Sequence, residues 1–491
     1  MEIAALNVLH QYWIYSLSAI CLVLIIAIIS WKYPRREWPY KLLTLLALTI
    51  SAIYLIWRVD ATLDFATIGD AVASLLLLFA ESIGIFQFIV FSLTMTKPYR
   101  RPVPVWPATR TLPTIDVYIA TYNEPEALLK KTIAAACAIC YPSERLNVYV
   151  CDDGNRPAIQ AFCQQWPVHY IARPTHDHAK AGNLNYALDH SQGEFIFILD
   201  ADMIPKPDCL TALIGYFDDP LMSFVQAPQV FYNPTPFQRN MPGGRLLNND
   251  QDFFMREMLP RRDRFNYVMF VGSNAMFSRA ALKKIGGFVT GTITEDLATG
   301  LVLQAEGFHC AYADAVVATG LSAESFAEMV HQRMRWCRGN LQVFRQHNLF
   351  TPVGLSRWQR FIYLAGTIYW YVGVQKAVYV AAPVLFLLFG LISLHTNISL
   401  LAILWLPYFL SVVLTYKRLA GRKSNIWWSH VQDLALMPFI AWAAIAESLH
   451  ISLKGFRVTT KGLISSHRSV SPYFWVLAAI WAVTGIAGGY S

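Results

Sequence analysis

Charged residues are scarce in this sequence: Asp, Glu, Lys and Arg make up 15% of its 491 residues, against 55% for the hydrophobic types. That balance is high in apolar residues for a purely soluble protein. The uncharged stretches are also gathered at both ends, which excludes a purely soluble protein. Cysteine is sparse as well. The eight cysteines, at 21, 137, 140, 151, 163, 209, 310 and 337, show no framework spacing, so a disulfide scaffold is excluded and a reducing, cytosolic compartment is expected. The one close pair, Cys137 and Cys140, has no second pair at zinc spacing and reads as buried helix packing rather than a metal or redox site. The N-terminus has no basic leader, and its first apolar run, from near Tyr12, is long enough to span, so no cleavable signal is expected. No nucleic-acid module is visible either. The net charge of +8 is carried largely by residues flanking apolar runs, such as Lys32, Arg35, Arg36 and Lys41, which suits lipid headgroups and excludes a nucleic-acid partner.

What is present is a membrane protein with a soluble insert. Three runs precede the insert (11–31, 40–57 and 71–95) and three follow it (375–394, 398–416 and 473–489), each near the span length of a bilayer. The loop with Lys32, Arg35, Arg36 and Lys41 should face the cytoplasm. The next loop, with Asp60, Asp64 and Asp70, should lie outside, and the chain returns inward at Lys97, Arg100 and Arg101. The insert is then cytosolic, with both termini outside. The stretches 358–374 and 427–448 are apolar but carry Arg357 and Arg360, or Asp433, Pro438 and Glu447, and read as amphipathic helices at the cytoplasmic interface.

Between 97 and 350, β-rich runs alternate with helical ones. TIDVYIAT (114–121), NVYVCDD (147–153) and EFIFILDAD (194–202) are separated by helical stretches that include 126–140 and 179–190. This alternation predicts a parallel α/β sheet. Ligands bind at the carboxyl ends of such strands, and these ends carry TYNEP, CDDG and LDADM.

The chemistry these residues suit is specific. Asp200 and Asp202 form a D-x-D at a strand end, where alternation sends both side chains one way. Two hard carboxylates favour Mg²⁺ or Mn²⁺, which takes substrate phosphates as further ligands and steadies the charge on a departing diphosphate. In Thr294-Glu295-Asp296, Asp296 offers a general base, although helix capping by Thr294 explains the same three residues. Gln332, Arg335 and Trp336, in QRMRW, supply a guanidinium for a pyrophosphate and a flat face for a sugar. A surface helix with a salt-bridged Arg and a core Trp is the plainer reading.

Taken together and in order, TYNEP (121–125), CDDG (151–154), HAKAGNLN (178–185), LDADM (199–203), NPTPFQRN (233–240), TITED (292–296), QRMRW (332–336) and FRVTTK (456–461) resemble the catalytic subunit of bacterial cellulose synthase, a processive family-2 membrane glycosyltransferase. The resemblance covers nearly the whole chain. It implies a nucleotide-diphospho-sugar transferase domain of GT-A type inserted in an α-helical transmembrane channel domain. The parts would be N-terminal spans in 1–96, the cytosolic transferase in 97–350, and interface helices, spans and a gating loop (454–468) in 351–491. It further implies UDP-glucose as donor and Mg²⁺ or Mn²⁺ as cofactor. A nascent β-glucan, extended at its non-reducing end with inversion, would be threaded across the plasma (inner) membrane, with lipids and export proteins as partners. By this resemblance Tyr122, Glu124 and Asp152 would hold the uridine and Lys180 would contact the nucleotide. Asp200 and Asp202 would hold diphosphate and metal. Asp296 would be the base. Gln332 and Arg335 would bind the diphosphate, and Trp336, Glu295, Gly272 and Ser273 the acceptor sugar. Thr459 and Lys461 would come from the gating loop.

Three features depart from that family. The chain ends soon after the FRVTTK loop, so regulation by a cyclic-di-GMP-binding PilZ domain is not expected. It also has fewer spans. Val271 stands before Gly272-Ser273 where cellulose enzymes usually have cysteine, which leaves β-1,3 (curdlan-type) or mixed linkage open beside β-1,4. The competing readings are a chitin- or hyaluronan-like synthase using UDP-GlcNAc, a non-processive lipid glycosyltransferase, and a catalytically silent export scaffold.

Overall fold

The computed structural model describes residues 2–490 except 242–243, 245–246, 348–353, 422–424, 452–470 and 472. Along the chain, α1 (Glu2–Lys32), α2 (Trp38–Ala61) and α3 (Ile68–Met95) come first. They are followed by β1 (Ile115–Thr121), α4 (Glu126–Cys137), β2 (Leu146–Asp152), α5 (Pro157–Cys163), β3 (His169–Ile171), α6 (Ala179–Asp189), β4 (Phe195–Asp200) and β5 (Ile204–Pro205). Next come α7 (Thr211–Ile214), β6 (Met222–Gln226), β7 (Val230–Phe231), α8 (Pro236–Asn240), α9 (Leu259–Arg262), β8 (Ala275–Ser278) and α10 (Arg279–Lys284). Then follow α11 (Glu295–Ala305), β9 (His309–Tyr312), β10 (Ala318–Gly320), α12 (Phe326–Gln346) and α13 (Arg357–Tyr369). The last helices are α14 (Val372–Phe389), α15 (Ile398–Ala420), α16 (Ile426–Ser448) and α17 (Tyr473–Tyr490).

Two compact units result. The first comprises Met1–Pro98, Tyr371–Trp442 and Pro472–Ser491. Five of its helices, Tyr12–Lys32, Trp38–Ala61, Ile68–Met95, Val372–Phe389 and Ile398–Ala420, are long and apolar enough to cross a membrane, and Tyr473–Gly489 is apolar but shorter. Neither α13 nor α16 is among the five. The run expected at 375–394 starts earlier and ends at Phe389, because Gly390 adopts φ +67° and closes the helix. Hydropathy, which continues past it, cannot report that stop. Inside this unit Val23, Ile26, Ala27, Leu43 and Ile50 form a core. Glu81 of α3 accepts from the Arg58 guanidinium and the Tyr54 hydroxyl of α2, both at 2.6 Å, so the buried Arg58 has its counter-charge on the next helix.

The second unit comprises Tyr99–Trp370 and Ala443–Ser471. Its main sheet has the order β3-β2-β1-β4-β8-β6-β9. Alternate residues of β1 feed two cores, Tyr118 and Ala120 on one face, and Ile115, Val117 and Ile119 on the other, as the two-residue period of a strand requires. The sheet is mixed, not parallel throughout. β1, β2, β3 and β4 pair in parallel, whereas β8 runs antiparallel to both neighbours, β4 and β6. Parallel neighbours need a crossover connection, usually a helix, and α4, α5 and α6 lie between the strands β1 to β4, whereas β8 follows β6 after a long connection that carries the short α8 and α9. A buried polar knot locks the amino-terminal end of β1: Arg279 donates to Asp116 at 2.7 Å and to Ser191 Oγ at 2.7 Å, and Asp116 also accepts the Gly193 N–H at 2.6 Å. All eight cysteines are free, but Cys140 is exposed and Cys137 half-buried at the end of α4. Helix packing therefore does not account for Cys140, because the helix stops at Cys137.

Candidate active site

The strand register fixes where the site forms. Thr121 lies opposite Asp152, and Ala120 opposite Asp200, so the carboxyl ends of β1, β2 and β4 share one rim. A cavity of about 880 Å³ opens there, within the usual range for small-molecule sites.

From β1, Tyr122 and Glu124 line the cavity. The Glu124 carboxylate accepts the Thr121 hydroxyl and the Tyr122 N–H, both at 2.8 Å, which fixes the turn that presents the half-exposed Tyr122 ring. From β2, Asp153 lines the cavity and Asp152 does not. Asp152 is fully buried, accepting the Gly154 N–H (3.0 Å), the Arg156 N–H (2.9 Å) and the Tyr170 hydroxyl (3.0 Å). Its carboxylate is occupied by the loop, and of the two neighbours it is Asp153 that faces the cavity. Asp153 is held by Arg173 at 2.5 and 2.9 Å and by His176 at 3.2 Å.

Lys180 stands in the first turn of α6, after His178 and Ala179, two non-glycine residues at positive φ (62° and 45°). Such backbone costs on the order of 1–3 kcal/mol per residue and persists only where the surroundings enforce it. The Lys180 ammonium donates to Asp200 and to the Gly272 carbonyl oxygen, the latter at 2.7 Å. Burial disfavours its charge, but Asp200, with Glu295 and Asp296 behind it, outweighs burial and raises its pKa.

Asp200 and Asp202 both reach the cavity, and Asp202 also accepts the Leu321 N–H at 2.9 Å. Among the described residues no cluster of three or more His, Cys, Asp or Glu could enclose a metal. Two carboxylate side chains, one already bearing the Lys180 cation, do fit a hard divalent ion that completes its shell with diphosphate and water. Gly272 lines the cavity at φ +91°. Ser273 does not: it is fully buried, and its Oγ accepts the Asp200 N–H at 2.9 Å, holding the end of β4.

Glu295 and Asp296 open α11 and line the cavity. Burial, then the charge of Asp296, push Glu295 up to about 7. Burial also raises Asp296, opposed by the Leu297 N–H (2.8 Å from Oδ1), Lys180 and Arg335. The capping reading of Thr294 fails, since its side chain caps nothing. The buried hydroxyls of Thr292 and Thr294 have no partner among the described residues, and both residues belong to the cavity wall. On α12, Gln332, Arg335 and Trp336 line the cavity at i, i+3 and i+4, one helical face. Arg333 pairs with Asp250 and lies 4.7 Å over the Trp336 ring. Gln342, on the same face at i+7 from Arg335, also lines the cavity. It was not singled out from the sequence, though helical periodicity points to it. Thr459 and Lys461 lie outside the described residues.

A half-parallel sheet with carboxylates at its carboxyl rim and a cation-bearing helix beside them defines a GT-A-type sugar-nucleotide transferase. A mannosyltransferase from Pyrobaculum calidifontis, solved with GDP-Man and Mn²⁺, shares this fold, with TM-score 0.55 and 17% identity over 78% of this chain and all of that one. Residues 116–286 match Glycosyl transferase family 2 and 283–432 match Cellulose synthase. The chain belongs to the family-2 glycosyltransferases, in the group that contains the bacterial cellulose synthases. It is 34% identical to the UDP-forming cellulose synthase catalytic subunit of Pseudomonas fluorescens over 91% of its own length, and 33% identical to that of Komagataeibacter xylinus over 90%. It spans 60% of the length of each, and 28% of the longer cellulose synthase 2 of Novacetimonas hansenii, to which it is 35% identical. With five helices long and apolar enough to cross a membrane, it is a membrane protein of that group.

Proposed function

We propose that this chain is a processive, inverting β-glucan synthase. It transfers glucose from UDP-glucose to the non-reducing end of a growing chain and passes the polymer across the plasma membrane. The observation that carries this reading is one cavity shared by Asp200 and Asp202, Lys180, Glu295 and Asp296, and Gln332, Arg335 and Trp336. Donor, base and acceptor groups all face the same space.

Tyr122, Glu124 and Asp153 bind the nucleoside end, with Asp152 shaping the loop beneath. Asp200 and Asp202 would hold Mg²⁺ or Mn²⁺ on the diphosphate, which supplies charge stabilisation for the leaving UDP. Lys180, Gln332 and Arg335 add fixed donors to the same oxygens. Asp296 takes the proton of the acceptor hydroxyl. Desolvation makes its carboxylate more basic, and a positioned base of this kind contributes about 10²–10⁴-fold. Trp336 stacks on the terminal sugar, and the unpaired hydroxyls of Thr292 and Thr294 await polar partners, as buried donors do. Thr459 and Lys461, in the FRVTTK motif, are assigned to donor binding on motif grounds alone. The basic loop with Lys32, Arg35, Arg36 and Lys41 supports a cytosolic catalytic unit.

The test is direct. Purified protein with Mg²⁺ and labelled UDP-glucose should make high-molecular-weight polymer, and Asp296→Asn should make none. Digestion by β-1,4- or β-1,3-specific glucanase names the linkage. Polymer from UDP-GlcNAc and none from UDP-glucose would replace the donor and keep the mechanism. No polymer from either would sink the synthase reading.

A further inference from the structure

Helix α12 touches the cavity with one part of its surface and a buried anion with another, and Gln342 takes part in both. Glu447 is 6% exposed. Its carboxylate accepts Arg338 Nε at 3.2 Å, Gln342 Nε2 at 3.2 Å and Arg345 Nη2 at 3.1 Å, and its carbonyl oxygen accepts Arg345 Nη1 at 3.3 Å. A buried carboxylate needs such donors, and two guanidiniums neutralise it. An ionised carboxylate only accepts, so the Gln342 amide must present its NH₂ to Glu447 and its oxygen to the other side. There Oε1 accepts the Ile293 N–H at 3.2 Å, one residue before Thr294-Glu295-Asp296. Gln346, one turn on, donates to the Gly291 carbonyl oxygen at 3.1 Å.

This matters because α11 starts without a side-chain cap. The loop that sets the position of Glu295 and Asp296 is held by α12 instead, and the orientation of the holding amide is dictated by Glu447. We infer that Gln342 and Glu447 are positioning residues for transfer: Glu447 fixes the Gln342 amide, and Gln342 fixes the backbone that places Asp296. The inference rests on Asp296 acting as base. It assigns both residues an effect on kcat rather than on donor binding, since neither adds a charge to the diphosphate. A displacement of about 1 Å at a reacting group costs up to about 10²-fold.

The test uses the full chain in detergent, with Gln342→Leu, Glu447→Gln and the exchanged pair Gln342→Glu/Glu447→Gln. Kinetics, UDP affinity by calorimetry, melting temperature, and hydrogen–deuterium exchange over residues 290–298 are all measured. Both single variants should lose on the order of 10- to 100-fold in kcat, keep donor KM and UDP affinity, and exchange faster across 290–298. The exchanged pair, in which the amide donates to a carboxylate that still accepts the Ile293 N–H, should recover most of the kcat. Unchanged exchange would overturn the inference whether or not the protein is active. So would unchanged kcat, or a loss that follows UDP affinity or melting temperature. Wild-type protein without transfer activity would instead reject the synthase reading, and the exchange result would still decide whether these residues hold the loop.

Discussion

Lys180 Nζ sits 2.7 Å from the carbonyl oxygen of Gly272 while also holding Asp200. One ammonium thus joins the start of α6, the end of β4 and the loop before β8. Its pKa is raised, because the surrounding carboxylates outweigh burial, so it stays charged through the working range. Replacing Lys180 with Met should lower kcat/KM for the sugar nucleotide by about 10²-fold or more, the usual cost of one fixed donor to a leaving oxyanion. Steady-state kinetics against UDP-glucose check this, and a loss below about threefold would remove Lys180 from the diphosphate contacts.

Glu295 carries a pH signature. Its ordinary value is 4.5 and in the folded protein it rises to about 7. Between those values the folded protein holds a proton that the unfolded chain releases. This stabilising contribution is therefore complete below 4.5 and is lost as pH rises through 7. Melting temperature should fall from about pH 5 to about pH 8, and Glu295→Gln should flatten that fall. Parallel wild-type and variant curves would show that Glu295 does not carry it.

Gly272→Ala should damage both stability and turnover. At φ +91° a side chain is strained by roughly 1–2 kcal/mol, and the added carbon would stand 3.1 Å from Asp296 Oδ2. A lower melting temperature with kcat reduced by about tenfold is expected, since crowding the base displaces it. Wild-type kcat in this variant would argue that Oδ2 is not the reacting oxygen.

Gly339→Ala sets helix propensity against packing. Alanine in a helix interior gains about 1 kcal/mol over glycine. Here its Cβ would fall 2.7 Å from Thr294 Oγ1 and 2.9 Å from Thr294 Cβ, an overpacking cost of about 1–3 kcal/mol. The clash should win, giving net destabilisation, and Thr294→Ser, which removes the methyl from the same contact, should restore part of it. Denaturant unfolding of the single and double variants measures both. A stabilised Gly339→Ala would mean that the loop yields freely.

Much of this architecture is legible in the residues. The runs 114–121, 147–153 and 194–202 fold as β1, β2 and β4 to within a residue or two, because apolar alternation and β-branched content act locally. Direction does not: nothing in Ala275–Ser278 says that β8 runs against its neighbours, since that depends on how a long connection returns. The site follows the same division. Carboxylates at strand ends and residues at i, i+3 and i+4 on α12 could be assigned to a common cavity from periodicity. Choosing Asp153 over Asp152 could not, because it depends on which carboxylate the Gly154–Arg156 turn captures. The burial of Ser273 is hidden for a similar reason: its hydroxyl accepts the Asp200 N–H at the end of β4, a contact between residues far apart in the chain.

The reversed strand also sets an order of manufacture. β8 lies between β4 and β6, yet the ribosome releases it after both. Until residues 275–278 emerge, the growing polypeptide presents two unpaired strand edges with a gap between them. Open edges of this kind invite pairing with other chains. Each molecule thus passes through a vulnerable interval during translation, which ends between β4 and β6 when residues 275–278 enter the gap and on the far side of β6 only when β9 follows. Synthesis interrupted before that point leaves a fragment whose sheet cannot close.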